Sequence, residues 1–150
     1  MKNFKILDCT LRDGGYYTNW KFDRELVRSL VRSLDSHNVD IIEMGYKSPV
    51  KGGEYRKCND GFISSIIDFD IKAKLAFMID VKDYVSDGII DTDLVYDTIK
   101  PSSVFKICRI AAKEHELEYL LELISIISNM GYDVICNLMA VTRTSDSGIL

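Results

Sequence analysis

Proline is scarce in this chain, 2 in 150 residues, and glycine stands at 9. Those counts exclude collagen-like, proline-rich and low-complexity classes. Histidine is limited to His37 and His115, and there is no His-x-His pair. The four cysteines, Cys9, Cys58, Cys108 and Cys136, form no C-x-x-C. Neither a disulfide framework nor a cysteine zinc site is therefore expected. Reduced thiols are expected, with Cys9, Cys108 and Cys136 packed inside apolar segments. A basic excess is also missing: Lys+Arg is 19 against Asp+Glu 23, a formal net charge of -4, which argues against nucleic acid as a partner. No apolar run approaches the roughly 18 residues of a membrane span. The opening Met-Lys-Asn-Phe-Lys-Ile is not the apolar stretch of a secretory leader. No membrane partner and a cytoplasmic location are the expectations.

What is present is an alternation of short apolar runs with longer amphipathic stretches. Strands are expected over 4–10, 39–44, 72–79, 104–110 and 133–140. Helices are expected after Asp23 as N-cap, with Leu26, Val27, Leu30, Val31 and Leu34 on one face; over 91–99, closed by Pro101; and over 114–130, with Leu117, Leu120, Leu121, Ile124 and Ile127 on one face and Gly131 just beyond. Residues 45–60 read as a loop and 62–67 as a short helix or turn. Strand-helix alternation with apolar strands implies an α/β fold, a parallel sheet covered by helices. Five strands fit either a complete small doubly wound sheet or a partial TIM (β/α) barrel. A sequential strand order would mean the barrel, and an order with a reversal the doubly wound sheet of a phosphatase or nucleotide-binding domain.

In parallel α/β folds the C-terminal ends of strands carry the site. The first strand runs into Asp8-Cys-Thr-Leu-Arg-Asp-Gly-Gly15. Asp13 is a hard oxygen donor suited to Mg²⁺ or Mn²⁺, and Arg12 is a permanent cation suited to an enolate or carboxylate oxygen. Gly14 and Gly15 would let the backbone turn sharply or a ligand approach closely. The alternative is an Arg-Asp surface pair at a tight turn. Neither G-x-G-x-x-G nor a P-loop is present. At the later strand ends, Arg109 is a candidate for substrate or for a structural ion pair, Asn137 for the interior of a barrel, and Asp80 for a turn carboxylate.

These residues resemble a known family. Asp8-x-Thr-Leu-Arg-Asp-Gly14 is similar to the first-strand signature of the DRE-TIM metallolyases, which include hydroxymethylglutaryl-CoA lyase, 4-hydroxy-2-oxovalerate aldolase and the isopropylmalate and citramalate synthases. Ile41-Ile-Glu-Met-Gly-Tyr46 resembles the family's second strand. Lys106-Ile-Cys-Arg-Ile-Ala-Ala112 and Val134-Ile-Cys-Asn-Leu-Met-Ala-Val141 resemble its fourth and fifth units. The resemblance implies a divalent metal on Asp13, an enolate stabilised by Arg12 and a supporting Glu43. It also implies a carbon-carbon lyase, of aldol or Claisen type, acting on a 2-keto acid or acyl thioester such as an acyl-CoA.

Two departures qualify what is carried over. Tyr16 stands where the aldolase branch places a catalytic histidine. The His-x-His pair that completes the family's metal site does not occur in this sequence. A closed barrel needs about 200 residues or more, so residues 1–150 are expected to be the N-terminal portion of one, inactive in isolation with its metal site incomplete. An open sheet needs cover, so self-association into a homo-oligomer is expected. A non-catalytic, self-associating partial barrel is the alternative.

Overall fold

The computed structural model describes residues 4–141. The elements follow in order: β1 (Leu7–Asp8), α1 (Thr10–Thr18), α2 (Arg24–Ser36), β2 (Ile41–Tyr46), α3 (Glu54–Lys57), α4 (Asp60–Ser64), β3 (Lys74–Asp80), the small strands β4 (Val85–Ser86) and β5 (Ile89–Ile90), α5 (Thr92–Thr98), β6 (Phe105–Ala112), α6 (Leu117–Asn129) and β7 (Asp133–Leu138). The main sheet runs β1-β2-β3-β6-β7, and every pairing is parallel. The order has no reversal. That excludes the doubly wound alternative and leaves a five-strand partial barrel of the α/β class. No helix among the described residues is long and apolar enough to cross a membrane.

Strand alternation sorts the side chains. Ile42, Met44, Phe77, Ile79, Cys108 and Ile110 pack with Val27 and Val31 of α2 and Leu120, Leu123 and Ile127 of α6 in the main core. The opposite face carries a small cluster of Ile41, Ala76 and Ile107, joined by Leu7 and Ile135. Two positions along the same strands, toward their C-terminal ends, this face turns polar with Glu43, Arg109 and Asn137. The apolar layer is the floor of the site.

Several local expectations hold. Asp23 caps α2, its carboxylate accepting from the Leu26 N–H at 2.9 Å. Asp91 caps α5 in the same way. Gly131 follows the last residue of the α6 cap with φ +92°. Other expectations are corrected. Leu26 and Leu121 lie outside the core, 62% and 69% exposed, because each helix buries a narrower stripe than the apolar count suggested. Residues 45–60 are not all loop, since α3 lies within them. The β4–β5 hairpin turns on Asp87-Gly88, a known hairpin signal. Cys136 is exposed on β7, and Cys9 is half-buried at the start of α1. Of the thiols expected inside, Cys108 alone is buried there, while Cys58 proves buried as well.

The largest local difference is at β1. The expected strand over 4–10 is reduced to Leu7–Asp8, and the motif turns at once into helix α1. The Asp8 carboxylate starts the turn, accepting from the Thr10 N–H at 3.1 Å and its hydroxyl at 2.9 Å. Two glycines inside a helix cost about 1 kcal/mol each, so propensity does not explain this helix. Packing does. A Cβ on Gly15 would sit 2.1 Å from Trp20 Nε1. Trp20 is buried, and its carbonyl accepts from the Tyr55 N–H at 3.4 Å. Gly45 of β2 plays the matching part, since a Cβ there would lie 1.9 Å from the Tyr55 carbonyl oxygen.

Candidate active site

The site forms where α1 crosses the C-terminal end of β2. Glu43 is completely buried. Its Oε1 accepts from Arg12 Nε at 2.6 Å. Arg109 Nη1 donates to both of its oxygens, at 3.0 and 2.9 Å. Arg109 Nη2 then donates to Asn137 Oδ1 at 3.1 Å. Four of the residues expected from sequence, contributed by α1, β2, β6 and β7, are thus joined in one network. Arg109 is in an ion pair, and it also faces the site. Burial pushes the Glu43 carboxyl above its ordinary value, while Arg109 and Arg12 pull it down. Glu43 thus bridges two guanidiniums, and Asp13 balances Arg12 from its exposed side.

Arg12 is the hub. Burial works against its charge, but the bonds to Glu43 outweigh it and hold the guanidinium above its usual value. Its Nη1 also reaches Asp13 Oδ1 at 2.8 Å. A guanidinium has more N–H donors than these contacts use. Tyr16 lies one helical turn beyond Arg12, on the same face of α1. Its hydroxyl is 2.8 Å from that of Tyr46. Burial, then the bond with Tyr16, raises Tyr46 above the ordinary phenol value. Tyr46 was not singled out from the sequence. Its place on the second-strand motif beside Glu43 was the available signal.

Asp13 is exposed at its side chain, and the Cys9 thiol donates to its Oδ2 at 3.2 Å. Both oxygens thus have protein partners, one of them a cation. No group of three or more His, Cys, Asp or Glu among the described residues could hold an ion. The residues present therefore do not fit a divalent metal by themselves. Gly14 and Gly15 lie inside α1, and a Cβ on either would meet Phe22 or Trp20. Of the two, Gly15 is the close-packing position, with a Cβ 2.1 Å from Trp20, whereas one on Gly14 would make ordinary contact with Phe22 at 3.6 Å. Asp80 ends β3, pairs with Lys82 at 2.8 Å and accepts from the Lys82 N–H, as a turn carboxylate does. Tyr17 is 94% exposed, whereas Tyr16, Trp20 and Tyr46 stack edge-on, with centroids 4.8 to 6.4 Å apart.

The chain as a whole is similar to known proteins. No protein-family model matches the chain. The mitochondrial homocitrate synthase of Saccharomyces cerevisiae is 34% identical over 105 residues, which are 67% of this chain and 22% of that protein. The 4-hydroxy-2-oxovalerate aldolase 3 of Rhodococcus opacus is 26% identical over 145 residues, 91% of this chain and 40% of that one. Among solved structures, the N-terminal domain of a protein assigned as an aldolase, from Bacteroides vulgatus, superposes with a TM-score of 0.77 at 26% identity, over 97% of this chain and 48% of that one. The chain spans less than half the length of each of these proteins. By sequence and by fold, the chain is homologous to DRE-TIM enzymes, the homocitrate synthases and 4-hydroxy-2-oxovalerate aldolases.

Proposed function

We propose that this chain is the N-terminal part of the catalytic barrel of a divalent-metal-dependent carbon-carbon lyase or condensing enzyme. Its substrate would be a 2-keto acid or an acyl thioester. The observation that supports this most is the fixed Arg12 guanidinium at the strand ends: buried Glu43 spans Arg12 and Arg109 and holds both, while the charge of Arg12 is shared with exposed Asp13. Such a charge, fixed before the reaction in a site of low polarity, suits a carboxylate or a developing enolate oxygen. Arg12 would meet that oxygen with a spare N–H. Glu43 and Asn137 would hold Arg12 and Arg109 in place. Mn²⁺ or Mg²⁺ would have Asp13 as its ligand from this chain, and the roles given to the other residues do not pass through it.

The test is titration with oxalate, a planar anion shaped like a 2-keto acid enolate, followed by heteronuclear NMR. Shifts confined to Arg12, Tyr16, Tyr46 and Arg109, lost in Arg12→Gln, are the expected result. Binding elsewhere, or none, would sink the reading. In the isolated chain, weak Mn²⁺ binding and no aldolase turnover are expected. Robust turnover of 4-hydroxy-2-keto acids would overturn the view that the catalytic unit is incomplete.

One observation favours a self-associating state. β1 and β7 each pair on one side only among the described residues, and Leu138 and Cys136 are exposed on β7. An unpaired strand edge templates pairing with another chain. A stable monomer in sedimentation at high concentration would count against it.

A further inference from the structure

Arg56 of α3 holds its guanidinium over the Trp20 ring, 4.3 Å from the centroid, and over the Tyr46 ring at 5.5 Å. Among the described residues it meets no carboxylate, and its side chain makes no hydrogen bond. Its Nε is buried without a partner. Its two Nη groups have none either and, unlike Nε, are open to water. Glu54 and Lys57, on the same short helix, are exposed and make no ion pair with it. Arg12, Arg28 and Arg109, by contrast, each hold a carboxylate.

Much of the local structure serves to hold this cation. Trp20 is buried with φ +52°, directly after Asn19 at +53°, a left-handed conformation that bulky residues rarely adopt. Its ring is set against Gly15, and Tyr16 and Tyr46 meet it edge-on. A Cβ on Gly52 would lie 2.4 Å from Arg56 Cδ, so the loop after β2 closes over the arginine stem. Packing alone does not call for a charge here. An apolar side chain would cover the indole without burying an unpartnered Nε, which costs free energy. Stacking uses the face of a guanidinium and leaves its edge donors free. The sheet register relates this cation to the site already described. Tyr46 pairs with Met78, and Met78 with Arg109. The Tyr46 and Arg109 backbones are therefore two strand spacings apart, roughly 10 Å, a gap that a short molecule with an anionic group at each end can span.

We propose that Arg56 is a second anion subsite, whose free Nη edge takes the far carboxylate of a ligand held by its 2-keto acid end at Arg12. Trp20 is the positioning residue that fixes the guanidinium. A planar fork matches a carboxylate with two parallel hydrogen bonds, and stacking on the indole removes the freedom such a fork would otherwise lose on binding. The keto-acid end of the ligand rests on the function proposed above. The subsite itself rests on the stacked, unpaired guanidinium.

The experiment reads the fluorescence of Trp20, the single tryptophan of the chain, which an anion arriving at the stacked guanidinium should shift. Two keto acids of equal length are compared: 2-oxohexanoate, anionic at one end, and 2-oxoadipate, anionic at both. The wild-type chain should bind 2-oxoadipate about tenfold more tightly, the worth of one hydrogen bond to a charged group, and 2-oxoadipate alone should shift the emission. Arg56→Gln should remove the preference and leave 2-oxohexanoate affinity as it was. Arg56→Lys, which keeps the charge without the fork, should restore it in part. Equal affinities in the wild-type chain, or a preference that survives Arg56→Gln, overturn the proposal. A separate arm titrates the wild-type chain with inorganic phosphate, which probes the guanidinium without a keto acid and needs no folded variant. A shift in Trp20 emission supports the subsite, and none overturns it. If neither keto acid binds the wild-type chain, that counts against the 2-keto acid reading, and the phosphate arm decides the subsite on its own.

Discussion

Glu43 and Arg109 stand 66 residues apart in the chain and share two hydrogen bonds, at 2.9 and 3.0 Å. The pair is brought together by β3, which lies between β2 and β6 in the sheet. Its meaning depends on a third residue, Arg12, which donates to the same carboxylate from outside the sheet. The buried carboxylate holds two arginines in place at once, and Asp13 balances Arg12 from the exposed side. Replacing Glu43 by Gln removes the buried counter-charge from both guanidiniums and leaves Arg12 with exposed Asp13 alone. Removing one partner from a buried ion network costs about 3–5 kcal/mol. Urea denaturation of Glu43→Gln should show a loss of that order. A loss below about 1 kcal/mol would mean that solvent screens the network.

Gly15→Ala separates helix propensity from packing. Propensity alone would stabilise α1 by about 1 kcal/mol. The added methyl would instead meet the Trp20 ring at 2.1 Å, and overpacking of this kind costs about 1–3 kcal/mol. Net destabilisation is expected, with a shift in the fluorescence of Trp20, the single tryptophan of the chain. A rise in melting temperature would show that Trp20 can move aside at little cost.

The thiols should react in two classes. Burial pushes the Cys58 and Cys108 thiols up, and both are inaccessible, so the reactive thiolate is scarce. Cys136 is exposed on β7. Iodoacetamide followed by mass spectrometry should find Cys136 modified first in the native chain, and Cys58 and Cys108 only after denaturation. Early modification of Cys108 would mean that β6 is open to solvent.

Acid should weaken the fold partly through Asp133 and Asp68. The bond from Lys74, at 2.9 Å, holds the Asp133 carboxyl below its ordinary value, and Arg28 does the same for Asp68. A lowered folded value contributes stability above the unfolded carboxylate value of about 4, which is lost as pH falls through the folded value. Asp133→Asn and Asp68→Asn should therefore flatten the fall in melting temperature below about pH 4. Both pairs are exposed, so the effect should shrink in high salt. An unchanged acid slope in the double variant would assign the loss to other carboxylates.

The legible and illegible parts of this molecule divide along a physical line. The five strands, the Asp23 and Asp91 caps and the end of α6 before Gly131 were readable because each depends on neighbours within a few residues. The same holds for the Asp87-Gly88 turn, although its signal was passed over. Helix α1 was not readable. Its two glycines argue against a helix, and the reason for Gly15 is Trp20, whose place is set by α3. The exposure of Leu26 and Leu121 was hidden for a similar cause: the width of a buried stripe depends on what packs against it.

The sequence by itself determined the fold class, and it pointed to Arg12, Arg109 and Asn137 because strand ends in a parallel sheet collect at one face whatever the details of packing, with Glu43 added by the family resemblance. The tertiary structure alone decided three further things. It showed that the strand order is sequential, since hydrogen-bond partners between strands are not written in any one strand. It made Gly15 a close-packing position against Trp20. It also brought the Tyr46 hydroxyl within 2.8 Å of that of Tyr16, because only folding sets the end of β2 beside α1.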